Sequence, residues 1–167
     1  MELYLLRHGL ATEPGAPGYT TDAERPLTEE GESKMKEIGN AMCELGCSFD
    51  LIISSPYTRA RQTAEIVARK LKTSKKLEFS DLLTPHASTT ELINLLNNRK
   101  PRPVDVLLVG HEPHLSGLIS LLVSGNEHLD IILKKGGLAR LSIPSLKHGR
   151  CATLEWLLPP RVMRHGK

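Results

Sequence analysis

Two histidines and a set of arginines stand where a buried strand gives way to a loop. Met1 is followed by "ELYLLRHGLA", in which an apolar run ends abruptly at Arg7, His8 and Gly9. A second apolar run, "VDVLLVGHEP", ends at Gly110, His111 and Glu112. A third stretch, "DLIISSPYTRARQT", leads from apolar residues into Ser54, Ser55, Arg59 and Arg61. A core cannot accept such groups, so they must meet at a surface of the fold. Arginine forks match phosphate oxygens and stay charged at all ordinary pH. A neutral imidazole can attack phosphorus and carry the group covalently, splitting one hard step into two. Arg7 and Arg59 would clamp the phosphoryl oxygens, and His111 would donate a further hydrogen bond. The charge of Arg7 beside His8 disfavours imidazolium and keeps the nucleophile neutral. Gly9 permits close backbone approach and an N–H directed at phosphate.

The elements that must position these groups follow from periodicity. Residues 2–6, 50–54 and 104–109 are short apolar runs of the kind buried on both faces of a parallel sheet. Between them lie helix-like stretches: one capped by Thr28 and running to about Leu45, one following Pro56, and "TTELINLLNN" at 89–98, capped by Thr89 or Thr90. "LEFS" is a short strand candidate, and "GHEPHLSGLISLLVSG" a loop with an apolar helix. Residues 10–26 read as a loop, and "GLARLSI" with "CATLEWLL" as a hairpin at one sheet edge. Strands alternating with helices predict a three-layer α/β/α sandwich with a mostly parallel central sheet. Ligands of such sheets bind at the carboxyl ends of the strands. His8 and His111 would therefore share one edge.

The bulk numbers set limits. The 167 residues, 40% hydrophobic and 25% charged, describe one ordinary globular domain over 1–167, with 160–167 read as a loose basic tail. A net charge of +3, with basic residues dispersed and few aromatics, argues against a nucleic-acid face. No run approaches the ~18 apolar residues of a membrane span, and no signal peptide precedes the first strand. A cytoplasmic protein is expected, with no membrane partner, and a monomer for want of a dimer seam. Cys43, Cys47 and Cys151 form no disulfide or zinc pattern, and the first two read as small buried hydrophobes. His111 and His114 make an HxxH, but the partners that a metal would need are not evident, so neither metal nor cofactor is expected. Arg61 would turn to a different side of its helix from Arg59. Ser54 and Ser55 read as capping or turn residues. His86, His128, His148 and His165 read as surface, and Lys134–Lys135 as a solvated edge.

Taken together, "LLRHG", "SSPYTRARQT" and "VGHEP" resemble the histidine phosphatase superfamily, the group that includes phosphoglycerate mutases and acid phosphatases. Short length, "ERPLTEEG" and "LLTP" make the chain similar to the short bacterial phosphohistidine phosphatases of the SixA type, from residue 2 to about residue 160. The resemblance implies a phosphoglycerate mutase-like fold and a metal-independent phosphatase. His8 would be the nucleophile, Arg7 and Arg59 phosphate ligands, His111 the second catalytic histidine, and Arg25 a further arginine near the pocket. The implied substrate is a phosphohistidine on a phosphorelay or phosphotransfer protein.

One departure concerns the acid that protonates the leaving oxygen in larger members. Asp81 and Glu112 are the candidates here, and neither is a clear match. An alkoxide is a poor leaving group, since water itself has a pKa of about 15.7. A protonated phosphoimidazole releases neutral imidazole, whose conjugate acid has a pKa of about 6.5. A weak or missing acid therefore favours P–N over P–O substrates. Two alternatives stay open: a broad phosphomonoesterase for small phosphate esters, and a non-catalytic phosphoprotein-binding module, against which the paired histidines argue.

Overall fold

A computed structural model describes residues 1–164. The strands are β1 (Glu2–Arg7), β2 (Leu51–Ser54), β3 (Leu77–Phe79), β4 (Asp105–Gly110), β5 (Leu138–Ser142) and β6 (Thr153–Leu158). The helices are α1 (Glu29–Glu44), α2 (Thr58–Lys70), α3 (Thr89–Asn97), α4 (His114–Ser124) and α5 (Pro160–Arg164). The six strands form one sheet in the order β3-β2-β4-β1-β5-β6. The first four in that order run parallel; β5 and β6 close one edge as an antiparallel pair.

The apolar runs are buried on both faces. Leu3 and Leu5 of β1 join Val106 and Leu108 of β4 in the core under α3 and α4. Tyr4 and Leu6 join Leu107 and Val109 in the core under α1 and α2. Side chains alternate across a strand, so one run feeds both layers. This is the expected α/β/α sandwich, with the expected edge hairpin.

Local signals set most of the ends. The Thr28 hydroxyl accepts the Gly31 N–H at 2.9 Å and starts α1, with Glu29, Glu30 and Glu32 in its first turn beside the positive end of the helix dipole. The start of α3 corrects the sequence reading. Ser88, not Thr89 or Thr90, is the cap, and its hydroxyl accepts the Glu91 N–H at 3.2 Å. The C-terminal segment corrects it again. Residues 160–164 are not a loose tail but the short helix α5, which buries Met163 in the α1/α2 core and pairs Arg164 with Glu37 at 2.9 Å. His165 lies outside the described residues. Cys43 is exposed rather than core, and Cys47 is half-buried. Among the described residues, no helix is long and apolar enough to cross a membrane.

Candidate active site

Three strand ends meet at one edge. β4 lies between β2 and β1, and the register pairs Arg7 with Gly110 and Ser54 with Val109. The first residues beyond the ladder are therefore His8, His111 and Ser55, side by side. Main-chain bonds extend the ladder to them: His8 N–H donates to Gly110 O at 3.0 Å, and Ser55 N–H to Val109 O at 2.9 Å. The rings of His8 and His111 stand 5.0 Å apart between centroids.

His8 is 4% exposed. Its Nδ1–H donates to its neighbour's carbonyl, Gly9 O, at 2.8 Å, which leaves the Nε2 lone pair facing Arg59. Arg59 Nε–H donates to that lone pair at a long 3.3 Å. Burial drives the His8 pKa down to about 3, aided by the charges of Arg59, Arg7 and Lys135 and opposed by the Gly9 bond. Loss of water, rather than the neighbouring charge of Arg7 expected from the sequence, is the larger cause. The result is a neutral imidazole with a defined tautomer, whose Nε2 lone pair is held by Arg59.

Arg59, 3% exposed, sits in the first turn of α2. Besides His8 it grips Asp22, with Nη1 donating to the main-chain oxygen at 2.7 Å and Nη2 to Oδ2 at 3.0 Å. Arg7 leaves β1 on the other side of His8 and donates through Nη1 to Leu133 O at 3.0 Å. Its Nε is buried with no partner. Burial lowers the pKa of both guanidiniums, but an arginine remains charged in proteins. The unpartnered N–H of a buried cation can donate to an anionic oxygen.

His111 completes the group. Burial above all, with the charges of His8 and Arg59 adding, pushes its pKa down to about 2. Its Nε2 is 2.8 Å from Ser55 Oγ, and its Nδ1 is buried without a partner. Tyr57 packs edge-on against the His111 ring at 5.1 Å, with the Arg59 guanidinium over the tyrosine face at 5.3 Å. The constellation can bind a tetrahedral anion and present a neutral nitrogen nucleophile to its centre.

The other expected residues are placed differently. Gly9 does not aim its N–H at the site, because that group donates to Thr63 Oγ1 at 3.1 Å. A Cβ on Gly9 would stand 2.7 Å from Met35 Cγ, so the glycine admits α1 rather than phosphate. Arg25 spends Nε on Asp22 Oδ1 at 2.9 Å and Nη1 on Thr12 O at 2.8 Å. These contacts buttress Asp22 and do not serve an incoming phosphate. Glu112, one residue before the Pro113 cap, accepts the Ser116 N–H of the first turn of α4 at 3.0 Å. Asp81 is exposed in a short 3-10 turn at 81–83. Arg61 faces solvent opposite Glu65, and His86, His128 and His148 are exposed, as expected. His114 is buried against the expectation of nothing in particular, and both its ring nitrogens lack partners.

Sequence reasoning assigns Ser55 only a capping or turn role, which the bond from the Tyr57 N–H bears out, and Lys135 only a solvated edge; it assigns no site role to Asp22, Tyr57 or Thr63. Strand order would have found Ser55, since the neighbour of β4 must end beside His111. Nothing local marks Asp22, because it acts across a span of 37 residues.

Comparisons with known proteins follow this geometry. Residues 3–84 match the model of the histidine phosphatase superfamily (branch 1). An uncharacterized protein of Picosynechococcus sp. is 35% identical over 142 residues, 84% of either chain. A protein histidine phosphatase SixA complexed with tungstate superposes with a TM-score of 0.79 at 24% identity, over 96% of this chain and 98% of that one. An alpha-ribazole phosphatase from Shigella flexneri gives a TM-score of 0.69 at 20% identity, over 96% and 97%. At those identities the two structures establish a shared fold.

Proposed function

The chain belongs to the histidine phosphatase superfamily, and from that premise we propose that it is a metal-independent phosphatase that removes phosphate from a phosphorylated histidine on another protein. His8 Nε2 attacks phosphorus, and the bond from phosphorus to the substrate's imidazole breaks. The electron pair of that bond returns to the departing ring, which leaves as neutral imidazole when its other nitrogen is protonated. Water then attacks the phosphohistidine formed on His8 and releases inorganic phosphate. Arg7 and Arg59 carry the positive charge that the transferring group needs. Arg59 Nε–H must turn from the His8 lone pair to a phosphoryl oxygen as the nucleophile engages.

What carries the choice of substrate is the state of the carboxylates nearest the site. Asp22 accepts from both Arg59 and Arg25, and these cations hold its carboxyl below its usual range despite partial burial. Glu112 is engaged at the helix start. Neither is arranged to hand a proton to an alkoxide, and a phosphoimidazole does not require one. Only three residues, 55–57, join β2 to α2, and only three, 111–113, join β4 to α4. Those two connections are too short to form a lid; the long connection at this edge is residues 8–28, between β1 and α1, which brings Asp22 against Arg59. The experiment is release of phosphate in EDTA from a phosphohistidine-bearing phosphorelay domain, beside a phosphoserine peptide and an aryl phosphate, with His8→Ala as control. Preference for the phosphohistidine protein is expected. Equal or better turnover of the esters would overturn the substrate assignment, and a surviving rate in His8→Ala would overturn the mechanism.

A further inference from the structure

The Ser55 hydroxyl stands where it can decide which nitrogen of His111 carries the proton. Its oxygen accepts the Tyr57 N–H at 3.2 Å, a bond that shapes the turn before α2. The same oxygen lies 2.8 Å from His111 Nε2. Ser55 is fully buried, so water does not compete for these contacts. A hydroxyl has one proton to give. Among the described residues, the only other hydrogen-bond partner of that oxygen is His111 Nε2, so the hydroxyl proton is spent there or not at all. With Nε2 accepting, the ring's own proton is on Nδ1, the nitrogen left buried and without a partner.

We propose that Ser55 is a positioning residue which holds His111 as the neutral Nδ1–H tautomer, so that an uncharged imidazole presents a hydrogen-bond donor to the phosphoryl oxygen. The opposite tautomer would place a bare lone pair on Nδ1 and repel that oxygen. The imidazolium would also donate, but the site resists it. Burial and two arginines push the second charge out, and the His111 pKa is pulled down to about 2. A neutral donor is what remains, and a neutral donor needs a fixed tautomer. The arrangement follows from the sheet: Ser54 pairs with Val109, so the residue after β2 must stand beside the residues after β4. The inference rests on the site's transferring a phosphoryl group, yet the state of the ring can be read without turnover.

The test has two parts. Nitrogen-15 NMR of wild-type protein at neutral pH should show His111 with its proton on Nδ1; a protonated Nε2 would overturn the proposal without any variant. Ser55→Ala should then shift the ring toward the Nε2–H form and lower kcat on an aryl phosphate by about 10- to 100-fold, with KM changed less than about twofold, the scale seen when a partner that orients a metal-bound imidazole is lost. Ser55→Thr, which keeps the hydroxyl, should restore both the tautomer and the rate. Loss of rate in Ser55→Ala with an unchanged tautomer, or failure of Ser55→Thr to rescue a folded protein, would refute the role. Absence of phosphatase activity in wild type would instead refute the proposed function and leave the tautomer result standing.

Discussion

The neutral state of His8 can be tested through stability alone, with no substrate present. In the unfolded chain a histidine titrates at about 6.5, whereas in the fold His8 is held at about 3. Between those values the unfolded chain binds a proton that the fold does not. Stability therefore rises with pH across the window, is complete above about 6.5, and is lost as pH falls toward about 3. At pH 5 the unfolded ring is almost fully charged and the folded one is not, which works out to about 2 kcal/mol lost relative to pH 8. His111, held at about 2, adds a similar amount. The perturbation is His8→Asn, which deletes the first contribution and keeps the second. Urea unfolding at pH 8 and pH 5, followed by fluorescence of the single tryptophan, Trp156, gives both free energies. The wild-type loss on acidification should exceed that of the variant by about 2 kcal/mol. The carboxylates titrate alike in both proteins and cancel in the difference. An identical loss in the two would mean that His8 accepts a proton in the fold at pH 5, and the case for a poised Nε2 lone pair would fail with it.

Three further outcomes follow from particular contacts. Asp22→Asn removes the anion that competes with phosphate for Arg59, so inhibition by inorganic phosphate should tighten by about 5- to 10-fold; weaker inhibition would mean that the carboxylate serves mainly to orient the guanidinium. Thr63→Val strands the buried Gly9 N–H and should cost about 1–3 kcal/mol in urea unfolding, with no change expected if that N–H were free to reach water. Met163→Ala should destabilise the protein by about 2 kcal/mol, the low end for a buried methionine because α5 is a single short turn at the edge of the core; a null effect would restore the reading of 160–164 as a loose tail.

Legibility in the sequence tracked the range of the interaction. β1 and β4 could be read because a strand buried on both faces is a continuous apolar run, and the break at Arg7–His8 and Gly110–His111 is a change of environment visible over three residues. The Thr28 cap was readable for the same reason. The α3 cap was not, because Ser88, Thr89 and Thr90 are chemically equivalent and only the path of the chain chooses among them. Residues 160–164 looked like a tail because five residues are too few to show a hydrophobic period; Pro160 stands at the first helical position, which favours proline, but what holds the helix is distant, Met163 in the core and Glu37 on α1. Gly9 was assigned to phosphate because its neighbours were. The hydroxyl that takes its N–H lies 54 residues away. The chemistry-bearing residues were thus legible, and the groups that set their protonation were not.

That division reflects how the site separates charge from nucleophilicity. The arginines carry positive charge that no ordinary pH removes. In the proposed mechanism the imidazoles stay neutral beside them, one as an electron-pair donor and one as a hydrogen-bond donor. Burial enforces neutrality on both, but burial cannot decide which nitrogen holds the remaining proton. Gly9 O decides it for His8, by accepting from Nδ1. The contact between Ser55 and His111 Nε2 supplies the corresponding decision on the other ring. Each of these partners is fixed by the main chain at a strand end. The order β2-β4-β1 therefore does more than gather the residues of the site: it sets the Ser55 hydroxyl beside His111, whereas chain connectivity alone sets Gly9 O beside His8.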